Sequence, residues 1–140
     1  MVIQRWQTVF LLLASILIIV FCFIPVGYLT DTAGDTIAVY PCNYTLYFTL
    51  NIVAAAILLF AIFQFRNTRR QRAITLIAMF LIEVSLAIGI YFIFISFPDS
   101  PKGDFGFGSL LLPAALIAAF IAYRRILADE KLLKSYDRLR

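Results

Sequence analysis

The chain has 140 residues, of which 63% are hydrophobic and only 14% charged. Soluble domains carry about a quarter charged residues, so this chain has too little polar surface for a water-soluble fold and takes the bilayer as its solvent. The absence of histidine excludes bis-imidazole haem ligation, histidine-built zinc sites and imidazole acid–base catalysis, and the net charge of +4 argues topology rather than nucleic-acid binding, because of where the cations fall.

Arg5 and the interfacial aromatic Trp6 precede an apolar run from Val9 to Ile24 that only Ser15 interrupts. A signal-peptide core is about 7–15 residues long and ends at a small-residue cleavage site. This run is longer and meets Pro25 instead, which predicts an uncleaved first span. Tyr28 to Asn43 reads as a loop, with Asp31, Gly34, Asp35 and Pro41 as its polar and turn-forming residues. Tyr28, Tyr40, Tyr44 and Tyr47 are expected at the headgroup level. Asn43-Tyr44-Thr45 matches a glycosylation sequon but lies against the membrane. The second span carries Asn51 in its outer half.

Arg66, Arg69, Arg70 and Arg72 then form a dense basic elbow between two apolar runs. The third span follows, and Pro98 to Gly108 is a turn-rich second loop. The fourth span closes on Arg124 and Arg125 and carries Ala114, Ala115, Ala118, Ala119 and Ala122, a helical spacing that admits a neighbouring backbone closely. The prediction is one membrane domain, an all-α bundle of four transmembrane helices, at residues of about 7–27, 44–65, 73–97 and 106–123, with a tail at 124–140. Eleven of the twelve cations fall on the side of the elbow and both ends, and Lys102 alone on the other, which predicts cytoplasmic termini. QRWQT at Gln4–Thr8 echoes QRAIT at Gln71–Thr75, a faint sign of duplicated hairpins.

Glu83 is the one ionisable side chain within a span. Such residues mark functional sites by default. Two roles fit it: a protonatable site for ion coupling, or a neutral acid hydrogen-bonded between helices. Ser15, at a comparable height in the first span, is its expected partner, whereas Ser85 is two residues away and faces elsewhere. Cys22 and Cys42 form no CxxC pair; they are expected as free thiols, with a disulfide closing the first loop as the alternative. Asp31, Asp35, Asp99 and Asp104 match no calcium loop and read as solvated acids of the outer side. No catalytic constellation, metal site or cofactor is expected.

The tail has no glycine or proline and can continue the fourth helix. Leu132, Leu133, Tyr136 and Leu139 fall on one stripe, with charges elsewhere. Arg124, Arg125, Lys131, Lys134 and Arg138, joined by Arg66, Arg69, Arg70 and Arg72, are the candidate surface for anionic lipid or a cytoplasmic protein partner.

The opening MVIQRWQTVFLLLA and the closing ADEKLLKSYDRLR resemble an uncharacterised family of small four-span membrane proteins of Bacteroidetes-type bacteria, defined only as a domain of unknown function. Gln4, Arg5 and Gln7 carry the resemblance at one end, and Asp129, Glu130, Lys131, Ser135, Asp137 and Arg138 at the other. It implies a bacterial inner-membrane location with both termini inside, and no activity. Small multidrug transporters also have four spans and one membrane glutamate, but theirs is in the first span among aromatics, and this sequence departs on both points. The leading reading is a non-enzymatic membrane protein acting through its basic elbow and tail; the alternative is a proton- or ion-coupled transporter using Glu83.

Overall fold

A computed structural model describes residues 2–30, 33–94 and 103–138. Four helices, α1 (Val2–Phe23), α2 (Thr45–Phe63), α3 (Thr68–Phe94) and α4 (Leu111–Arg138), pack in chain order, and α1 closes the ring on α4. All four are long and apolar enough to cross a membrane.

Each helix turns a seam of residues three and four apart toward the bundle axis. In α1 the seam is Gln7, Leu11, Ala14, Ile18 and Phe21, and in α2 it is Tyr47, Asn51, Ala54, Leu58 and Ala61. In α3 it is Gln71, Thr75, Ala78, Ile82 and Ser85, and in α4 it is Ala115, Ala119, Ala122, Ile126 and Glu130. This alternation keeps one stripe of a helix facing its neighbours over many turns. The remaining faces are as apolar as the interior: Val9, Ile16, Phe60, Ile77, Phe80 and Phe120 are all exposed. Apolar residues both inside and outside identify helices built for a bilayer. Of the alanines at 114, 115, 118, 119 and 122, all but the exposed Ala114 are buried, and so are those at 54, 55 and 61 on α2, which lets the backbones come close. In the register of the echo between Gln4–Thr8 and Gln71–Thr75 the two helices bury corresponding positions: Leu11, Ser15 and Ile18 of α1 are buried, as are Ala78, Ile82 and Ser85 of α3.

The basic elbow is mostly helix. Only residues 64–67 separate α2 from α3, and Asn67 caps α3 by accepting the Arg70 amide on its side-chain oxygen at 3.2 Å. Arg69, Arg70 and Arg72 therefore occupy the first two turns of α3, and residues 68–72 expected in the connection belong to the helix.

The chain is not all-α. The loops at the opposite end form a three-stranded antiparallel sheet of β1 (Gly27–Thr30), β2 (Thr36–Val39) and β3 (Gly103–Phe105), in the order β2-β1-β3. Backbone groups that leave a helix need partners, and pairing the two loops supplies them. The β1–β2 hairpin turns through Gly34, whose φ of 88° lies in the left-handed region that glycine adopts without penalty. The second loop is fastened to the first by Gly106 N–H donating to the Val26 carbonyl at 2.9 Å and Gly108 N–H donating to the Pro25 carbonyl at 3.2 Å. Tyr44 and Phe92 stack at 4.8 Å beside this end. Tyr47, expected at the headgroup level, is instead a core residue at 4% exposure, edge-on to Phe21. The reason is its place on the inward seam of α2, one turn before Asn51. Lys102, Asp31, Asp99, Leu139 and Arg140 lie outside the described residues.

A β-carbon on Gly108 would stand 2.5 Å from the Pro25 carbonyl oxygen. Gly108→Ala should therefore force the two loops apart and destabilise the protein by about 1–3 kcal/mol. Denaturant unfolding in micelles, followed by circular dichroism, measures this.

Candidate functional site

The densest polar assembly is at the end formed by the start of α1, the α2–α3 turn and the last turns of α4. Its centre is Glu130, the one charged side chain among the buried residues described. Arg72 Nη1 meets its Oε2 at 2.9 Å, Lys134 Nζ meets its Oε1 at 3.0 Å, and Arg69 Nε is 3.8 Å from the same oxygen. Lys134 is one helical turn beyond Glu130 on α4, while Arg72 and Arg69 come from α3, so the carboxylate ties the elbow to the tail. The Lys134 ammonium bonded to it, with Arg72 and Arg69 adding their charge, holds its carboxyl below the ordinary glutamate range against the opposing effect of burial. Glu130 lies beyond Arg124 and Arg125, where α4 passes out of its apolar stretch.

Beneath it, Gln7 of α1 donates to the Arg125 carbonyl of α4 at 3.2 Å, and Thr75 donates to the Gln71 carbonyl at 2.9 Å. Around it, Arg66, Arg69, Arg70, Arg124, Arg125, Lys131, Lys134 and Arg138 are exposed, and Arg72 is half-buried. The elbow and the tail thus meet on one end, as their sequence position suggests. Arg72, Lys134 and, less closely, Arg69 are partly neutralised there by Glu130. What faces outward is a ring of cations at the level where the helices leave their apolar stretch. The final turns of α4 rise from it carrying Leu132, Leu133 and Tyr136, all exposed.

A second polar contact sits deep between α2 and α3. The Ser85 hydroxyl donates to Asn51 Oδ1 at 2.8 Å, and Asn51 Nδ2 donates to the Tyr47 carbonyl at 2.9 Å. Both side chains are fully buried, so in lipid this bond fixes the rotation of one helix against the other. The Tyr47 hydroxyl rests against Gly89, with no hydrogen-bond partner in good geometry.

Glu83 and Ser15 are not brought together. Ser15 is buried and donates to the Leu12 carbonyl of its own helix at 2.8 Å, whereas Glu83 is exposed on the outer face of α3. The seam of α3 runs through Ile82 and Ser85, and the helical turn swings residue 83 away from it. Ser85, expected to face elsewhere than Glu83, does so and makes the interior bond instead. Glu83 is about 22 Å from the start of α3 and about 16 Å from its end at 1.5 Å per residue. A charge at such a depth in lipid costs about 2.5–3.5 kcal/mol on the insertion scale.

Near the sheet, a cavity of about 480 Å³ is walled chiefly by Phe21, Tyr47, Leu86, Ile90, Leu112 and Pro113. Ser109 also faces it, but its hydroxyl is spent on the Gly106 carbonyl at 2.7 Å. Cys22 is buried and Cys42 exposed, and both are free thiols. Asp35 and Asp104 are exposed.

Residues 3–139 match the family described as "Domain of unknown function (DUF4293)". The chain belongs to that family. No curated protein and no solved structure matches it. The DUF4293 match reaches both QRWQT and the tail, the two stretches that carried the resemblance.

Glu130 and the Asn51–Ser85 pair escape a reading based on charge and depth alone, because Glu130 looks like one acid among many tail charges. The available signal is position: Asn51 and Ser85 fall on three-and-four spaced seams with Ala54 and Ile82, and Glu130 follows Ala122 and Ile126 in fours.

Two outcomes follow from these contacts. Asn51→Leu leaves the buried Ser85 hydroxyl without its acceptor and should cost about 1–2 kcal/mol, readable by unfolding in micelles. Glu130→Gln should loosen the last turns of α4, seen as faster amide exchange from Glu130 onward. Because the Glu130 carboxyl is depressed, its stabilisation is complete above the ordinary glutamate range and lost as pH falls through the depressed value; the Gln variant should lack that acid-side loss.

Proposed function

We propose that this DUF4293 protein is a non-enzymatic component of the bacterial cytoplasmic membrane, with both termini inside, that works by presenting the end of α4 to a cytoplasmic protein. The positive-inside bias supports the orientation, since the arginines and lysines gather at the end of the bundle formed by the start of α1, the α2–α3 turn and the last turns of α4. The ring itself suits anionic lipid headgroups, at about 1 kcal/mol per surface cation.

One observation carries the choice of a protein rather than the bilayer surface as the partner of the tail. α4 is a single unbroken helix of 28 residues, about 42 Å long, whereas the hydrocarbon core is about 30 Å thick. A helix continuous with a span projects from the membrane and does not lie along it. Counted from Arg124, where the apolar stretch ends, Leu132, Leu133 and Tyr136 lie about 12–18 Å farther along the helix, past a headgroup layer of about 5–8 Å, beside Lys131, Lys134 and Arg138. Apolar anchors spaced one turn apart and flanked by cations suit a groove with an acidic rim. Glu130 supports the same reading, because its ties to Arg72 and Arg69 hold the projecting turns in a set direction.

Transport through Glu83 finds less support, because that carboxyl faces out of the bundle while the interior polar pair, Asn51 and Ser85, is bonded to itself.

A photoreactive phenylalanine in place of Tyr136 should cross-link in living cells to a soluble protein, while the same residue in place of Phe60, on the outer face of α2, should give none. Adducts to lipid alone from position 136 would overturn this function.

A further inference from the structure

Glu83 is exposed near the middle of α3, and among the described residues no hydrogen bond or ion pair reaches its carboxyl. Polar groups in lipid are almost always turned to a bundle interior or to one another. The residues around it form a second seam on α3, opposite the one that builds the bundle. Ala73, Leu76, Phe80, Glu83, Ala87 and Ile90 are all exposed and are spaced alternately three and four apart. That spacing makes a continuous stripe along one side of a helix, and the alanines on it let another helix approach closely.

We propose that this face of α3 pairs with the same face of a second copy of the chain, the two Glu83 carboxyls hydrogen-bonding to each other at the centre of the interface. The choice of a second copy rests on depth and charge. Copies inserted with one topology are related by a two-fold axis along the membrane normal, so each residue of the seam meets its own counterpart at its own depth. Glu83 therefore meets Glu83. The chain has no lysine or arginine between Arg72 and Lys102, so α3 of a second copy brings no cation to that level. A carboxyl is a self-complementary group when it carries a proton, since its hydroxyl donates and its carbonyl oxygen accepts. A proton shared between the two carboxyls lets one donate and the other accept, which is the complementarity the interface needs. This inference is independent of the tail, because it concerns the outer face of α3 within the membrane.

The test is self-association of the purified protein in lipid vesicles, read by energy transfer between labelled copies as the protein-to-lipid ratio is varied. The unaltered chain should dimerise. Glu83→Gln keeps both a donor and an acceptor and should dimerise comparably. Glu83→Leu faces lipid and leaves the fold intact, and should weaken the dimer at least tenfold. In a second measurement, Ala87→Cys should form an intermolecular disulfide in a Cys42→Ser background, while Ala56→Cys, on the exposed face of α2, should not. A monomeric unaltered chain, dimerisation of Glu83→Leu equal to the unaltered protein, or cross-linking at 56 in place of 87 would each overturn the proposal. A monomer in vesicles would leave the cross-linking of position 136 to a soluble protein unaffected, so the two readings fail separately.

Discussion

Close approach of four helix backbones along their small interior residues is the constraint on which the rest of the molecule depends. Lipid tails are as apolar as leucine, so there is no hydrophobic drive to hold spans together once they are inserted. Packing and a few interior hydrogen bonds must do it. The alanines of α2 and α4 make that approach possible, and Asn51 with Ser85 sets the rotation of α2 against α3. One consequence is that polarity and burial separate in this protein. The few buried uncharged polar residues, Gln7, Ser15, Asn51, Gln71, Thr75 and Ser85, lie along the axis among leucine, isoleucine and alanine, while phenylalanine, isoleucine and leucine cover the outside.

The two ends of the bundle are finished in different ways. At one, a short sheet pairs the two long loops and satisfies backbone groups that the helices release. At the other, side chains do the work. Asn67 caps α3, Gln7 reaches the backbone of α4, and Glu130 gathers Arg72, Lys134 and Arg69. That second end is where charge is concentrated and where α4 outlasts its span. The basic elbow and the tail are thus one structural unit, with an acid at its centre. An uninterrupted cationic patch would repel itself; Glu130 relieves that repulsion and leaves the outward-facing arginines and lysines free.

Much of this was legible from the residues alone. Four apolar runs separated by turn-rich or basic stretches name the spans, because a bilayer demands about 20 apolar residues per crossing whatever else they do. The continuation of α4 through the tail follows from a stretch free of glycine and proline. The sheet was harder to see. Its strands are three or four residues long, and Gly27–Thr30 takes up its register with Gly103–Phe105 from a loop far along the chain. Locally, only the β-branched residues on both sides of Gly34 hinted at a hairpin.

The sequence by itself determined the solvent of this protein, its number of spans and the clustering of its cations, since these depend on composition and order along the chain. Only the tertiary structure decided which side of each helix faces inward. In an amphipathic helix from a soluble protein the polar stripe would reveal that choice, but here both sides are apolar and the answer rests on how small residues interlock. That is why Glu83, conspicuous in the sequence, faces away from the bundle, and why Ser15, at a comparable height, bonds to the Leu12 carbonyl of its own helix instead of to Glu83. It is also why Glu130, one charge among several in the tail, became the residue that binds α4 to α3.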